Sequence, residues 1–239
     1  MGACSALSCA EPMENDQEAV RYHQFIEHWR TIRQKLDADH VKMLAVSKYA
    51  SDEAVATLIR AGERNFAESR PQLLRDRAAQ WPECDWHMIG PVQKNKAKYI
   101  GRYAAAWHSC DDIETARKVA GFVEQRKLPV LIQVNIAENP NQQGVNPDNL
   151  AALASALQDI QSLQLVGLMG MAPQLEKGGE SKVRAAFQQL RTLRDDLFGG
   201  SFGELCMGMS SDYAIAVEEG ATMVRLGTSI FGGFGREQG

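Results

Sequence analysis

Short apolar blocks alternate along this chain with longer stretches in which apolar residues recur every three or four positions. The first pattern is that of buried strands and the second that of amphipathic helices. From Gln17 to Leu36, the residues Val20, Phe25, Ile26, Trp29, Ile32 and Leu36 mark one face of a helix expected to cover one end of the sheet. Met43 to Val46 then forms a continuous apolar block running into Ser47-Lys48. A Ser51-Asp52 cap opens a helix over 52–61, with Gly62 at its C′ position. The same unit recurs. Further strands are predicted at 65–69, 85–90, 104–109, 130–136, 163–169, 204–207 and 222–226. Helices follow at 73–79 behind Pro71, 93–100, 111–124, from near Pro147, 181–197 and 212–219, with a last turn at 229–231.

Eight strand–helix units in 239 residues fit a single (β/α)8 barrel better than a doubly wound sheet, which has fewer strands and a topological break. The predicted fold class is therefore α/β: one TIM barrel over 15–239 with an additional N-terminal helix, behind a disordered lead-in over 1–14. No composition shift marks a second domain.

A barrel also predicts where chemistry lies, because its sites are built just after the strands. The polar and glycine-rich pieces at those places are Lys48, Asn65, His87, Asn135, Met169, Gly208-Met209-Ser210 and Gly227-Thr228. A lysine ending a buried strand loses part of its hydration, which favours the neutral amine able to attack a carbonyl. Its bland alternative is a side chain whose head snorkels into water. Met207 to Asp212 and Arg225 to Thr228 each join a glycine and a hydroxyl to a predicted helix start, a combination suited to phosphate. Gly208 serving a tight turn and Ser210 capping its helix is the structural alternative. Phosphate sites recur after strands seven and eight of such barrels, so the two loops reinforce each other. Neither is a P-loop or a dinucleotide fingerprint. A reactive lysine across the mouth from a phosphate cradle suits a phosphorylated aldehyde, and pyridoxal 5′-phosphate is the cofactor expected.

Composition narrows the classes. With 26 basic and 30 acidic residues the net charge is −4, so no general attraction to nucleic acid or membrane is expected. Lys94, Lys96 and Lys98 stay open as a solvated face or an anion site. The five cysteines, Cys4, Cys9, Cys84, Cys110 and Cys206, are scattered and include no C-x-x-C pair, which speaks against a disulfide framework or a zinc site and for a reducing cytoplasm. No segment approaches the ~18 apolar residues of a membrane span. Met1 to Ala10 lack the basic and apolar regions of a secretory signal.

Several pieces together resemble the pyridoxal phosphate homeostasis protein family, whose relatives share the barrel of alanine racemase. They are Ala45-Val46-Ser47-Lys48, Asn65-Phe66, Trp86 to Gly90 with Gln93-Lys94-Asn95-Lys96, Gly167-Leu168-Met169, Met207 to Asp212, and Met223 to Thr228 with Ile230-Phe231-Gly232. The resemblance implies that Lys48 holds the cofactor as a Schiff base, that Ser210, Gly227 and Thr228 bind its phosphate, and that Asn65 and Arg225 line the ring pocket. His87, Met169, Met207, Gly208 and Met209 complete the expected cofactor-binding set. Three departures fall at the rim: Phe66-Ala67-Glu68-Ser69 where the family has Phe-Gly-Glu-Asn, Pro91 where a histidine is common, and Gln142-Gln143-Gly144 without the usual lysine.

A racemase needs an acid/base group on each face of the substrate α-carbon. Lys48 is one. In the alanine racemase relatives the other is a tyrosine from a separate domain of a partner subunit, and this chain ends at Gly239 without such a domain. Tyr49 is expected to point to the opposite side of the strand, and His87 is either an alternative base or a satisfied core histidine. The expectation is thus a monomeric, cytoplasmic carrier acting in vitamin B6 homeostasis, with pyridoxal phosphate and apo pyridoxal enzymes as partners. The alternatives are an amino-acid racemase at the same site, or an aldolase-like barrel whose Lys48 attacks a sugar phosphate.

Overall fold

The computed structural model describes residues 12–137, 139, 142–200 and 202–232, with 12–19 by backbone alone. Eight parallel strands close in sequence order, β1 Lys42–Val46, β2 Asn65–Glu68, β3 Asp85–Met88, β4 Ala106–Cys110, β5 Leu128–Val134, β6 Leu163–Gly170, β7 Glu204–Met209 and β8 Met223–Leu226. Pairing of β1 with β8, from Lys42 opposite Met223 to Ala45 opposite Leu226, shuts the barrel. The helices are α1 Pro12–Ala38, α2 Asp52–Ala61, α3 Pro71–Gln80, α4 Ala97–Tyr103, α5 Ile113–Ala120, α6 Leu150–Gln158, α7 Leu175–Phe198, α8 Tyr213–Glu218 and α9 Thr228–Phe231. The (β/α)8 fold is as expected. Residues 1–11 of the anticipated lead-in lie outside the described residues, and 12–14 already belong to α1.

Strand periodicity divides the side chains into two sets. Met43, Phe66, Trp86, Trp107, Leu205, Met207 and Val224 pack outward against the helices, where Phe66 and Trp86 stack with centroids 4.9 Å apart. Leu44, Ala67, Leu131, Met169, Cys206 and Met223 face inward. Burying two indoles and a phenyl ring removes on the order of 150–250 Å² each from water, so the outer layer supplies most of the hydrophobic stabilisation.

Some boundaries move for local reasons, and one helix takes a different place. Ala104, expected to open β4, donates its N–H to Ile100 O at 3.1 Å and so finishes α4. The helix predicted from Ser181 extends back to Leu175 across a break at Gly179, whose φ of 71° is not helical. The N-terminal helix lies along the wall instead of over an end. Its Phe25, Trp29, Ile32 and Leu36 are buried, Phe25 meets Phe231 of α9 at 6.0 Å, and Trp29 Nε1 donates to Glu63 at 3.2 Å beyond α2. A one-turn α9 leaves the outer ring short of a helix, and α1 fills that gap.

Candidate functional site

At the C-terminal mouth of the barrel lies a cavity of about 440 Å³, within the range of small-molecule sites. Strand ends and loops from around the barrel line it, including Lys48, Ser69, Ile89, Met169, Ser210, Arg225 and Thr228. Of the residues predicted from the sequence, the structure brings together Lys48, Met169, Met209, Ser210, Arg225, Gly227 and Thr228.

β1 ends at Val46, two residues before Lys48, and the chain turns through 48–49. Lys48 is half-buried, and its Nζ has no hydrogen bond or ion pair with a described residue; it lies 5.1 Å from the centre of the Tyr49 ring. This corrects the expectation for Tyr49. Strand alternation would send it to the far side, but alternation stops with the strand, and both residues line the same mouth. The tyrosine therefore stands beside the lysine and does not face it across the cavity.

The β7–α8 and β8–α9 loops meet at Ser210. Its Oγ accepts from Gly227 N at 3.3 Å, Ser229 N at 3.0 Å and the Ser229 hydroxyl at 3.0 Å. Asp212 accepts from Met209 N at 2.5 Å and pins the turn; burial raises its carboxyl above the ordinary range against the pull of that bond. His28 of α1 contacts Ser229 O through Nε2 at 2.7 Å, so the added helix also braces this loop. Ser229 is absent from the predicted set. Its signal was available as a second hydroxyl directly after Thr228 in the same turn.

Beneath the cavity Arg225 is 4% exposed and donates to Cys206 O at 2.9 Å, Cys206 Sγ at 3.2 Å and Gly170 O at 3.1 Å. Below it His108 Nδ1 lies 3.4 Å from Cys206 Sγ, and its Nε2 lies 2.8 Å from His87 Nδ1. Burial, then the positive charge of Lys42, pushes His87 down to about 4, and His108 lies well below its ordinary value for the same first reason. Both rings are neutral at pH 7.

Five predicted residues are elsewhere. Asn65 opens β2 instead of following it, and faces a separate hollow with Arg33, His40 and Lys42 at the opposite end of the barrel. His87 is an interior residue of β3, sealed against His108, so it is corrected from a candidate base to a core histidine. Met207 points outward because Cys206 takes the inward position. Gly208, with φ of +91°, lies inside β7 where its register with β8 shifts, and a Cβ there would meet Ala216 Cβ at 2.6 Å. Asn135 spends its amide on Asn139 O and Gln142 O at 2.8 and 3.1 Å, closing the loop after β5.

A mouth lined from the ends of β1, β2, β3, β6, β7 and β8, a lysine amine on the first βα turn and a hydroxyl-centred nest on the last two define a class: residues 20–234 match the family model "Alanine racemase, N-terminal domain". A solved alanine racemase of Clostridium difficile shares that fold at a TM-score of 0.72 over 87% of this chain and 56% of its own, with 13% identity. Much nearer in sequence are the pyridoxal phosphate homeostasis proteins of Pseudomonas aeruginosa, 38% identical over 82% of this chain and 86% of the relative, and of Aquifex aeolicus, 35% identical over 80% and 86%. PipY of Synechococcus elongatus, solved with PLP bound, superposes at a TM-score of 0.78 with 32% identity, covering 87% of this chain and 99% of its own. The chain belongs to the pyridoxal phosphate homeostasis protein family.

Proposed function

We propose that this protein binds pyridoxal 5′-phosphate and acts as an intracellular carrier in vitamin B6 homeostasis, with little or no catalysis of its own. Lys48 supplies the amine that links to the cofactor. Ser210, Gly227, Thr228 and Ser229 form the phosphate cradle, while Met169, Met209 and Arg225 bound the ring. When bound, the cofactor supplies an aldehyde that condenses with a primary amine and releases water.

One observation carries the reading. Two backbone N–H groups and a hydroxyl converge on the single oxygen of Ser210, in the same cavity as a lysine amine free of ion pairs among the described residues. Those donors are arranged for an oxygen ligand, and a phosphate oxygen taking that place lets the Ser210 hydroxyl turn and donate as well. The residues present therefore fit the cofactor at both ends. Arg225 presents a positive group towards the ring, and its other contacts are fixed carbonyls and a thiol, so it orients without moving. The carrier reading fits the names of relatives at 34–38% identity, which are pyridoxal phosphate homeostasis proteins. It also fits the placement of Tyr49, which gives no second acid/base group opposite Lys48. On this reading the protein is a monomeric carrier, with apo pyridoxal enzymes as recipients in the cytoplasm.

The test is an absorbance spectrum of the purified protein with added cofactor, then borohydride reduction and peptide mass mapping, with Lys48→Ala alongside. A pyridoxyl adduct on the Lys48 peptide, absent in the variant, is expected. An unmodified Lys48 in excess cofactor would overturn the assignment. A sedimentation mass of one chain at micromolar concentration is expected as well.

A further inference from the structure

We propose that Arg77, paired with Glu68 in the wall of the barrel, is a positioning residue for Lys48: its guanidinium grips the turn on both sides of the lysine. The proposal rests on the reading of Lys48 given above. Past Val46 the turn leaves the strand ladder, whose last bond here runs from Ser47 N to Ala67 O at 3.1 Å. Its carbonyls then go to arginines of the next βα unit. Arg77 Nη1 donates to Ser47 O at 2.7 Å and Nη2 to Ala50 O at 2.6 Å, while Arg70 Nη2 donates to the carbonyl of Lys48 itself at 2.8 Å. Glu68 completes the device. Its Oε1 accepts from Arg77 at 2.6 Å and from the Ser47 hydroxyl at 2.5 Å, so the carboxylate, the guanidinium and the residue before Lys48 are tied together.

As a way of packing α3 on β2 this is a poor arrangement. Arg77 is 3% exposed and Glu68 fully buried, so two charges have left water, and Glu68 Oε2 and Arg77 Nε are left without partners among the described residues. Apolar side chains of similar volume would pack there at least as well. What the pair achieves is geometric. A planar guanidinium that holds two carbonyls three residues apart fixes the dihedrals between them, and with them the direction in which the Lys48 side chain leaves the backbone. That matters because Nζ has no hydrogen-bond anchor among the described residues, and a ligand held by its phosphate at Ser210 presents its aldehyde at one place only. A lysine root free to swing would spend most of its time out of reach of that carbon, slowing capture without weakening the phosphate contacts.

The experiment compares wild type with Arg77→Gln, Arg77→Lys and Arg70→Gln. The rate at which the Lys48-linked absorbance develops after mixing with pyridoxal phosphate is measured, with the concentration of inorganic phosphate that halves binding and hydrogen exchange at the amides of 48–50. Arg77→Gln is expected to slow capture at least tenfold and speed exchange in the turn, with phosphate competition within twofold of wild type. Arg77→Lys, which keeps the charge but not the fork, restores part of the rate. Capture within twofold of wild type in Arg77→Gln would overturn the proposal. If Arg77→Gln does not fold, Arg70→Gln carries the test, since Arg70 is exposed and makes a single bond to the turn. Capture two- to fivefold slower supports the grip, and an unchanged rate sinks it. If wild type itself is never modified at Lys48, the reading of the preceding subsection fails, and exchange at 48–50 alone then decides whether Arg77 holds the turn.

Discussion

Ser210 shows how much a single side chain can organise at this mouth. Its hydroxyl oxygen takes three donors, two of them backbone groups of the neighbouring loop, so it both holds the loop shut and marks where an anion is met. Replacing it by alanine removes one hydrogen bond to a charged group, worth about 1.5–3 kcal/mol. Ser210→Ala is therefore expected to weaken pyridoxal phosphate binding by about ten- to a hundredfold, read by equilibrium dialysis, while Lys48 stays reactive towards saturating cofactor. His87 makes a different prediction. Its folded value of about 4 lies below the ordinary 6.5, so the unfolded chain takes up a proton that the folded one refuses. The stability this neutral ring confers is fully present above pH 6.5 and is lost as the pH falls from 6.5 towards 4. Urea midpoints measured across that window should fall less steeply in His87→Asn than in wild type, and equal slopes would rule His87 out as a source of the pH dependence.

At the scale of elements, each βα unit has its own joint. α2 begins with the Ser51 hydroxyl accepting from Ala54 N at 3.2 Å and ends at Gly62 with φ of 108°, so the helix behind Lys48 is defined at both ends. The β7–α8 joint depends on Gly208. A methyl group there meets Ala216 at 2.6 Å, and the backbone sits in the left-handed region besides. Gly208→Ala should cost about 2–4 kcal/mol, from strain and from pushing α8 off the strand. In a chain of this length that lowers the melting temperature by roughly 4–16 °C. A melt within 1 °C of wild type would show that α8 accommodates the methyl group.

Taken whole, the molecule is an apolar outer layer around a barrel interior in which polar groups sit among apolar ones. Arg225, Cys206, His108 and His87 occupy the inside of the barrel where aliphatic side chains could have been packed, while Phe66, Trp86 and Trp107 hold the strands to the helices. Since the mouth draws on many of these units at once, a ligand bound there couples them. Pyridoxal phosphate at a hundred times its dissociation constant should stabilise the folded state by about 2.7 kcal/mol, raising the melting temperature by roughly 5–11 °C. Lys48→Ala should show a smaller rise, and inorganic phosphate at millimolar concentration a smaller one still. Equal shifts for wild type and Lys48→Ala would mean that the amine adds nothing to the phosphate contacts.

Most of the fold was legible in the chain because its signals are local: apolar blocks of strand length, helical spacing between them, and glycines where helices stop. Lys48, Ser210, Gly227 and Thr228 were legible for the same reason, since a polar residue just after an apolar block must emerge at one end of the barrel. Sequence could not say which end of a short strand a residue occupies, and so Asn65 was placed at the mouth when it opens β2. Nor could it say where alternation stops, which misdirected Tyr49, or which of two neighbours faces inward, which misplaced Met207. His87 illustrates the deeper limit: its neutrality comes from burial against His108 on another strand. The arginines that grip the Lys48 turn reach it through space from 22 to 30 residues away in the chain. Local chemistry thus determined the units and the residues able to react, because both depend on near neighbours. Tertiary packing alone decided which of those residues share a cavity and what holds them there, because contacts between distant segments exist only once the barrel has closed.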